Sequence, residues 1–263
     1  MKEIGETPLQ ALERLRARDH LPESIPLAYA GRLDPMATGK LLILIGDECK
    51  VQEKYHRLDK TYEFKVIFGL HSDTGDILGI ISSSSGVQTY TKHAIEKTIV
   101  KLVGNISLPY PHFSSKTIQG KPLHVWTLEK RLCEIEIPIK HSRMYKIRLT
   151  NLTQITAHEL YENVSKKIDS VEKVTDPKKV LGADFRRTDV RASWKEIYEK
   201  NPETSYHVAS FICTASSGTY MRSLAERIAV ELGTVGLAYD IHRTKIGTYH
   251  DFFRLFGVWS STY

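Results

Sequence analysis

The stretch "AGRLDPMATGKLLILIG" (residues 30–46) carries two competing instructions. Gly31, Gly39 and Lys40 suggest a loop that cradles phosphate, whereas Asp34 places a carboxylate at the centre of the same segment. A phosphate loop of the Walker type needs four residues between its glycines, then Lys and Ser or Thr, and it follows a strand and opens a helix. Here seven residues separate Gly31 from Gly39, Leu41 follows Lys40, and the apolar run comes after the loop. The phosphate-loop reading fails. Two readings of Asp34 remain: a helix cap, with Pro35 at the first helical position, or a group that does chemistry.

Outward from this stretch, "LLILIG" (41–46) reads as a short buried strand ended by glycine. "YEFKVIFG" (62–69) sets Tyr62, Phe64 and Val66 against Glu63 and Lys65, the alternation of a half-buried strand. "MYKIRLTNLTQI" (144–155) and "SYHVASFICTAS" (205–216) alternate in the same way. Helices are expected at 8–18, where Pro8 opens a run with Leu9, Leu12 and Leu15 three apart, and at 91–104, with Thr91 as cap. A third is expected at 218–233, where Leu224, Ile228 and Leu232 share a face and Gly233 ends the run. Residues 108–126 read as an ordered loop, and 157–200 as charged and mostly helical. Strands and helices alternate without a regular βαβ beat. The fold class expected is therefore α+β, a mixed and largely antiparallel sheet with flanking helices.

Composition narrows the function. The 263 residues are 41% hydrophobic and 26% charged, ordinary for a globular protein, and the net charge of +6 is compatible with a polyanionic partner without requiring one. No apolar segment is long enough to span a bilayer, and the N-terminal residues lack the apolar core of a signal peptide. Three scattered cysteines without CxxC pairing fit a cytoplasmic location and give no zinc knuckle. Cys213 reads as core. "TASSG" lacks the first glycine of a nucleophile elbow, "SDTGD" lacks calcium-loop spacing, and the histidines show no metal-ligand pairing, so neither metal nor cofactor is expected.

Five separated segments, in order and register, resemble one family. "AGRLDPMATGKLLILIGDECK" (30–50) is similar to the G-x-L-D-P-x-A-T-G-x-L signature of TruB-type tRNA pseudouridine synthases, and "DKTYEFKVIFGLHSDTGDILG" (59–79) to the family's K-x-Y and T-D-T-x-D motif. "PYPHFSSKTIQGKPL" (109–123), "CTASSGTYMRSLAERIAVELG" (213–233) and "LAYDIHRTKIG" (237–247) resemble the remaining three. The resemblance implies one pseudouridine synthase catalytic domain over 1–263, with a mostly helical insertion at 156–203. It implies an enzyme that flips uridine 55 out of the tRNA T loop, breaks the N1–C1′ bond, rotates the base and rejoins it through C5. No atoms are exchanged, which agrees with the absence of cofactor motifs.

By the same resemblance Asp34 is the catalytic carboxylate, adding to C1′ or removing the C2′ proton. A closed site would tend to protonate it, and Arg222 would supply an opposing cation through a bidentate fork. Tyr62 would stack on the base or take the C5 proton. Tyr220 and Ile241 match aromatic and apolar pocket positions, and Asp76 an acidic one that orients its neighbours. Tyr29, Arg32, Lys60 and Lys116 complete the substrate-binding set, and the T-arm of tRNA is the partner of a chain expected to be monomeric. Basic and aromatic residues in 54–62 and 110–116 would hold the loop by stacking and phosphate contact.

Four departures from the family pattern stand out. Tyr29 replaces the histidine usual in bacterial members, and Thr117 stands where a lysine is expected, with Lys116 displaced by one. The chain starts within the first motif, at Lys2, Gly5 and Thr7, and ends soon after Gly247, so that no C-terminal PUA-type domain is expected in it. In 156–203, "KKVLGADFRRTDVR" (178–191) clusters Lys and Arg as if to recover tRNA affinity. Alternatives to the leading reading are a synthase for another structured RNA and a tRNA-binding or folding protein without turnover.

Overall fold

Residues 1–84, 88–171, 186–252 and 256–263 are described by the structure, a computed structural model. The chain opens on helix α1 (Pro8–Arg18), started by a capping box in which Thr7 accepts from the Gln10 amide and Gln10 reaches back to Thr7. Its buried face is Ala11 and Leu12; Leu9, counted above with the apolar face, is exposed. The segment 30–46 becomes three short strands: β1 (Leu27–Ala30), β2 (Thr38–Gly39) and β3 (Leu42–Ile45). β1 and β3 pair as a separate antiparallel hairpin in which only Ala30 and Leu44 are buried, so "LLILIG" is not the core strand expected. No helix follows Asp34. Residues 34–37 make a turn, closed by the Ala37 amide donating to the Asp34 carbonyl at 2.9 Å, and the capping reading is set aside.

After helix α2 (Glu53–His56) comes β4 (Asp59–Phe68), at the middle of the main sheet. Its alternation holds: Tyr62, Phe64 and Val66 are buried, Glu63 and Lys65 exposed. A small hairpin, β5 (Leu70–Ser72) with β6 (Ile81–Ser84), precedes helix α3 (Lys92–Val100), capped by Thr91, and strand β7 (Gly104–Pro109). Residues 108–126 are more regular than the loop expected. They hold the hairpin β8 (Thr117–Ile118) and β9 (Lys121–Pro122), then helix α4 (Leu123–Leu128).

Strand β10 (Ile139–Thr156) leads to helix α5 (Ala157–Ser170), helix α6 (Arg187–Lys200), strand β11 (Ser205–Ala215), helix α7 (Met221–Glu231) and the strands β12 (Gly236–Phe252) and β13 (Phe256–Thr262). The main sheet runs β13-β12-β4-β11-β10-β7, antiparallel throughout, with β2 added parallel to β12. This is the α+β arrangement expected. Helices α3 and α7 pack on the sheet through Ile95, Ile99, Leu224, Ala225 and Ile228, all buried, and Phe64 stacks on Phe211 at 5.1 Å. Cys213 is core. Of the basic segment 178–191, residues 178–185 lie outside the described residues. The described arginines are engaged: Arg186 with Asp73, and Arg187 and Arg191 with Asp169.

Candidate active site

Asp34, Tyr62, Arg222, Tyr29, Arg32, Lys60, Asp76, Tyr220 and Ile241 come from four elements and connecting loops, yet all line one cleft of about 820 Å³. Lys116 does not. It is exposed, with its ammonium 5.6 Å from the Tyr110 ring centroid.

Arg222, in the first turn of α7, joins the parts of the site. Its Nε–H donates to Asp34 Oδ2 at 2.8 Å, Nη1 to the Thr74 carbonyl at 2.8 Å and Nη2 to the Phe113 carbonyl at 3.1 Å. The bidentate fork expected on the carboxylate is thus replaced by one charge-assisted bond, with the rest of the guanidinium fixed by two backbone oxygens. The reason is spatial: three segments converge on a side chain that is only 3% exposed. Asp34 keeps 36% exposure, and its Oδ1 makes no hydrogen bond among the described residues.

A second carboxylate shares the same cation. Asp76 Oδ2 lies 3.7 Å from Arg222 Nε, and its Oδ1 accepts from the Thr74 hydroxyl at 2.7 Å and the Leu78 amide at 2.9 Å. Burial pushes the Asp76 carboxyl up to about 6; Arg222 opposes the rise and the Asp34 charge adds to it. For Arg222 burial lowers the value, but the two carboxylates outweigh it and the net direction is up.

The aromatic groups are desolvated. Burial raises the Tyr62 phenol, with Arg243 opposing, and pushes Tyr220 up to about 12, with the Asp34 charge reinforcing it. Tyr220 meets Tyr110 edge-on at 5.4 Å. Lys60 is buried, donates to the Leu58 carbonyl, and is lowered to about 8 by desolvation and by Arg243.

Two buried cations that received no role from the sequence grip the Asp34 loop. Lys2 donates to the Ala37 carbonyl at 2.6 Å and the Pro35 carbonyl at 3.2 Å, while desolvation lowers it to about 8. Arg243, on β12, donates to the carbonyls of Lys40 at 2.7 Å, Arg32 at 3.2 Å and Gly31 at 3.0 Å. Gly39 is required between them: its φ is +108°, and a Cβ there would lie 2.3 Å from the Arg243 carbonyl oxygen. The signal available in the sequence for Arg243 was its place in the resembling segment "LAYDIHRTKIG" (237–247).

Residues 24–168, more than half the chain, match the family described as TruB family pseudouridylate synthase (N terminal domain). The chain belongs to that family. Among its relatives, the tRNA pseudouridine synthase B of Caldicellulosiruptor saccharolyticus is 26% identical over 223 residues, a match covering 85% of this chain and 58% of the relative. That of Hydrogenovibrio crunogenus is 27% identical over 219 residues, covering 83% and 54%. This TruB-family chain therefore spans a little over half the length of these curated relatives. A solved Cbf5-Nop10-Gar1 complex contains a chain of the same fold, with a TM-score of 0.54 at 13% identity, covering 94% of this chain and 47% of that one. Among the described residues, no helix is long and apolar enough to cross a membrane and no three His, Cys, Asp or Glu gather as a metal site.

Proposed function

We propose that this chain converts uridine 55 in the T loop of tRNA to pseudouridine. The observation that carries the reading is the Asp34 carboxylate, tethered by Arg222 Nε at 2.8 Å and facing a cleft that also holds Tyr62. Uridine stacked in a folded loop is out of reach of that cleft, so the nucleotide is extruded at a cost of a few kcal/mol. Asp34 then meets the ribose. Whether it attacks C1′ or removes the proton on C2′, the reacting group is an oxygen of a carboxylate whose partner bond fixes its direction. The N1–C1′ bond breaks, the uracil turns, C5 bonds to C1′, the C5 proton leaves and N1 gains one.

Tyr62 lines the cleft where its ring stacks on the base or its phenol takes the C5 proton. Tyr220 and Ile241 close the pocket around the base. Tyr29 offers a ring where the resembling family has an imidazole, and it can stack against the opened loop. Arg32, exposed at the rim, and Lys60, in the floor, supply charge for phosphate. Lys116 would act outside the cleft, beside Tyr110.

The test is incubation with unmodified tRNA, followed by mapping of pseudouridine through carbodiimide-blocked primer extension. Modification at position 55 by the wild type and none by Asp34→Asn is expected. Modification confined to other positions, or tight binding without modification, would overturn the reading in favour of another structured RNA or of a protein that binds without turnover.

A further inference from the structure

Arg243 is 1% exposed, and among the described residues its guanidinium forms no ion pair with a carboxylate. A buried charge held by carbonyl dipoles without a carboxylate is a costly way to stabilise a core, and an apolar side chain of similar volume would serve stability as well. What the guanidinium does contribute is geometry. Its three acceptors, Gly31, Arg32 and Lys40, bracket the loop that carries Asp34. Its backbone carbonyl takes the Lys40 amide at 2.8 Å, so main chain and side chain hold the same segment. On β12 it pairs in register with Tyr62 of β4, at a bulge, and its side chain lines the cleft.

We propose that Arg243 is a positioning residue for the reaction: it fixes the Asp34 loop against the strand that carries Tyr62, so that carboxylate and ring face one sugar and one base. This rests on the function proposed above. Both reacting groups are held from elsewhere as well, Asp34 by Arg222 and Tyr62 by its strand. Arg243 touches both assemblies: its side chain holds the loop that carries Asp34, and its backbone pairs with the strand that carries Tyr62. A shift of about 1 Å in such a frame costs about 100-fold in rate while leaving substrate contacts in place.

The experiment compares wild type, Arg243→Lys and Arg243→Ala on unmodified tRNA, with release of tritium from C5 of labelled uridine as the readout. Turnover by the wild type secures the underlying function independently; its absence would sink that reading and not this one alone. In Arg243→Lys the charge remains but the three-way fork is lost, and kcat is expected to fall about 100-fold with KM for tRNA within about threefold. Added guanidinium should restore part of the kcat of Arg243→Ala, whereas sodium chloride at equal concentration should not. The proposal is overturned by Arg243→Lys turning over like wild type, by a loss confined to KM, or by a folded Arg243→Ala that guanidinium fails to rescue. Should Arg243→Ala not fold, Arg243→Lys decides alone, its melting temperature recorded beside its kcat.

Discussion

Arg222 directs one donor to a side chain and two to backbone oxygens, and this division makes it hard to replace. Lysine would keep the positive charge, but it cannot satisfy the Thr74 and Phe113 carbonyls while also reaching Asp34. Each buried acceptor left without a donor costs about 1–3 kcal/mol. Arg222→Lys is therefore expected to lower kcat by about 100-fold or more; turnover within a factor of about two of wild type would show that charge alone suffices. Lys60 offers a second measurement. Its value of about 8 means the ammonium loses its proton as pH rises through that point, and a phosphate partner favours the charged form. Affinity for tRNA should weaken as pH rises through about 8, more steeply in wild type than in Lys60→Met; Lys2, lowered to the same region, titrates in both and cancels in the comparison. Identical slopes would remove Lys60 from the binding surface. Asp34 and Arg222 could be read from the sequence because each sits in a motif with fixed neighbours. Arg243 also sits in a resembling segment, 237–247, but its role could not be read there, because its partners are carbonyls, which every residue has, and no complementary side chain announces them.

At the scale of elements, the sheet's centre was legible and its margins were not. β4 alternates over 62–66 because Tyr62, Phe64 and Val66 are buried while Glu63 and Lys65 meet water, and that period survives in sequence; β11 alternates in sequence although none of its residues is exposed. "LLILIG" carries no period, and a continuous apolar run does not say whether it lies in a core or in a two-stranded hairpin against a cleft wall. β12 was missed for a related reason: it runs from Gly236 to Phe252 through Asp240, His242, Arg243 and Lys245, and its alternation is broken by bulges at 238–240 and 243–245. The helix α4 escaped notice because prolines and a glycine around it read as loop. β2 is the least conspicuous element, two residues long, yet it ties the Asp34 loop to β12. Gly39→Ala tests that tie. With φ at +108° and the new Cβ 2.3 Å from a carbonyl oxygen, the pairing must open, which should destabilise the chain by about 1–3 kcal/mol and depress kcat with it. Chemical denaturation of the variant at unchanged midpoint would mean that β2 is not held as described.

Across the whole molecule, stability and function pull on the same buried charges. Asp76 has an ordinary value of 3.8 and about 6 in the folded chain, so between those points the folded state keeps a proton that the unfolded state has lost. Stability contributed by this group therefore falls as pH rises, intact below about 4 and fully lost above about 6. The opposite sign holds for Glu6, whose carboxyl, despite partial burial, is held below its ordinary value by Arg14 and the Glu3 amide, so that its contribution is lost as pH falls. Raw melting curves will mix the two. The difference between wild type and Asp76→Asn separates them, because asparagine can accept the same Thr74 and Leu78 bonds but never ionises. Between about pH 4 and about pH 7 the melting temperature of Asp76→Asn should climb relative to wild type, and level off above about pH 7. A constant offset across that range would mean that Asp76 is already ionised at the lower pH, and that Arg222 fully compensates the two carboxylates beside it.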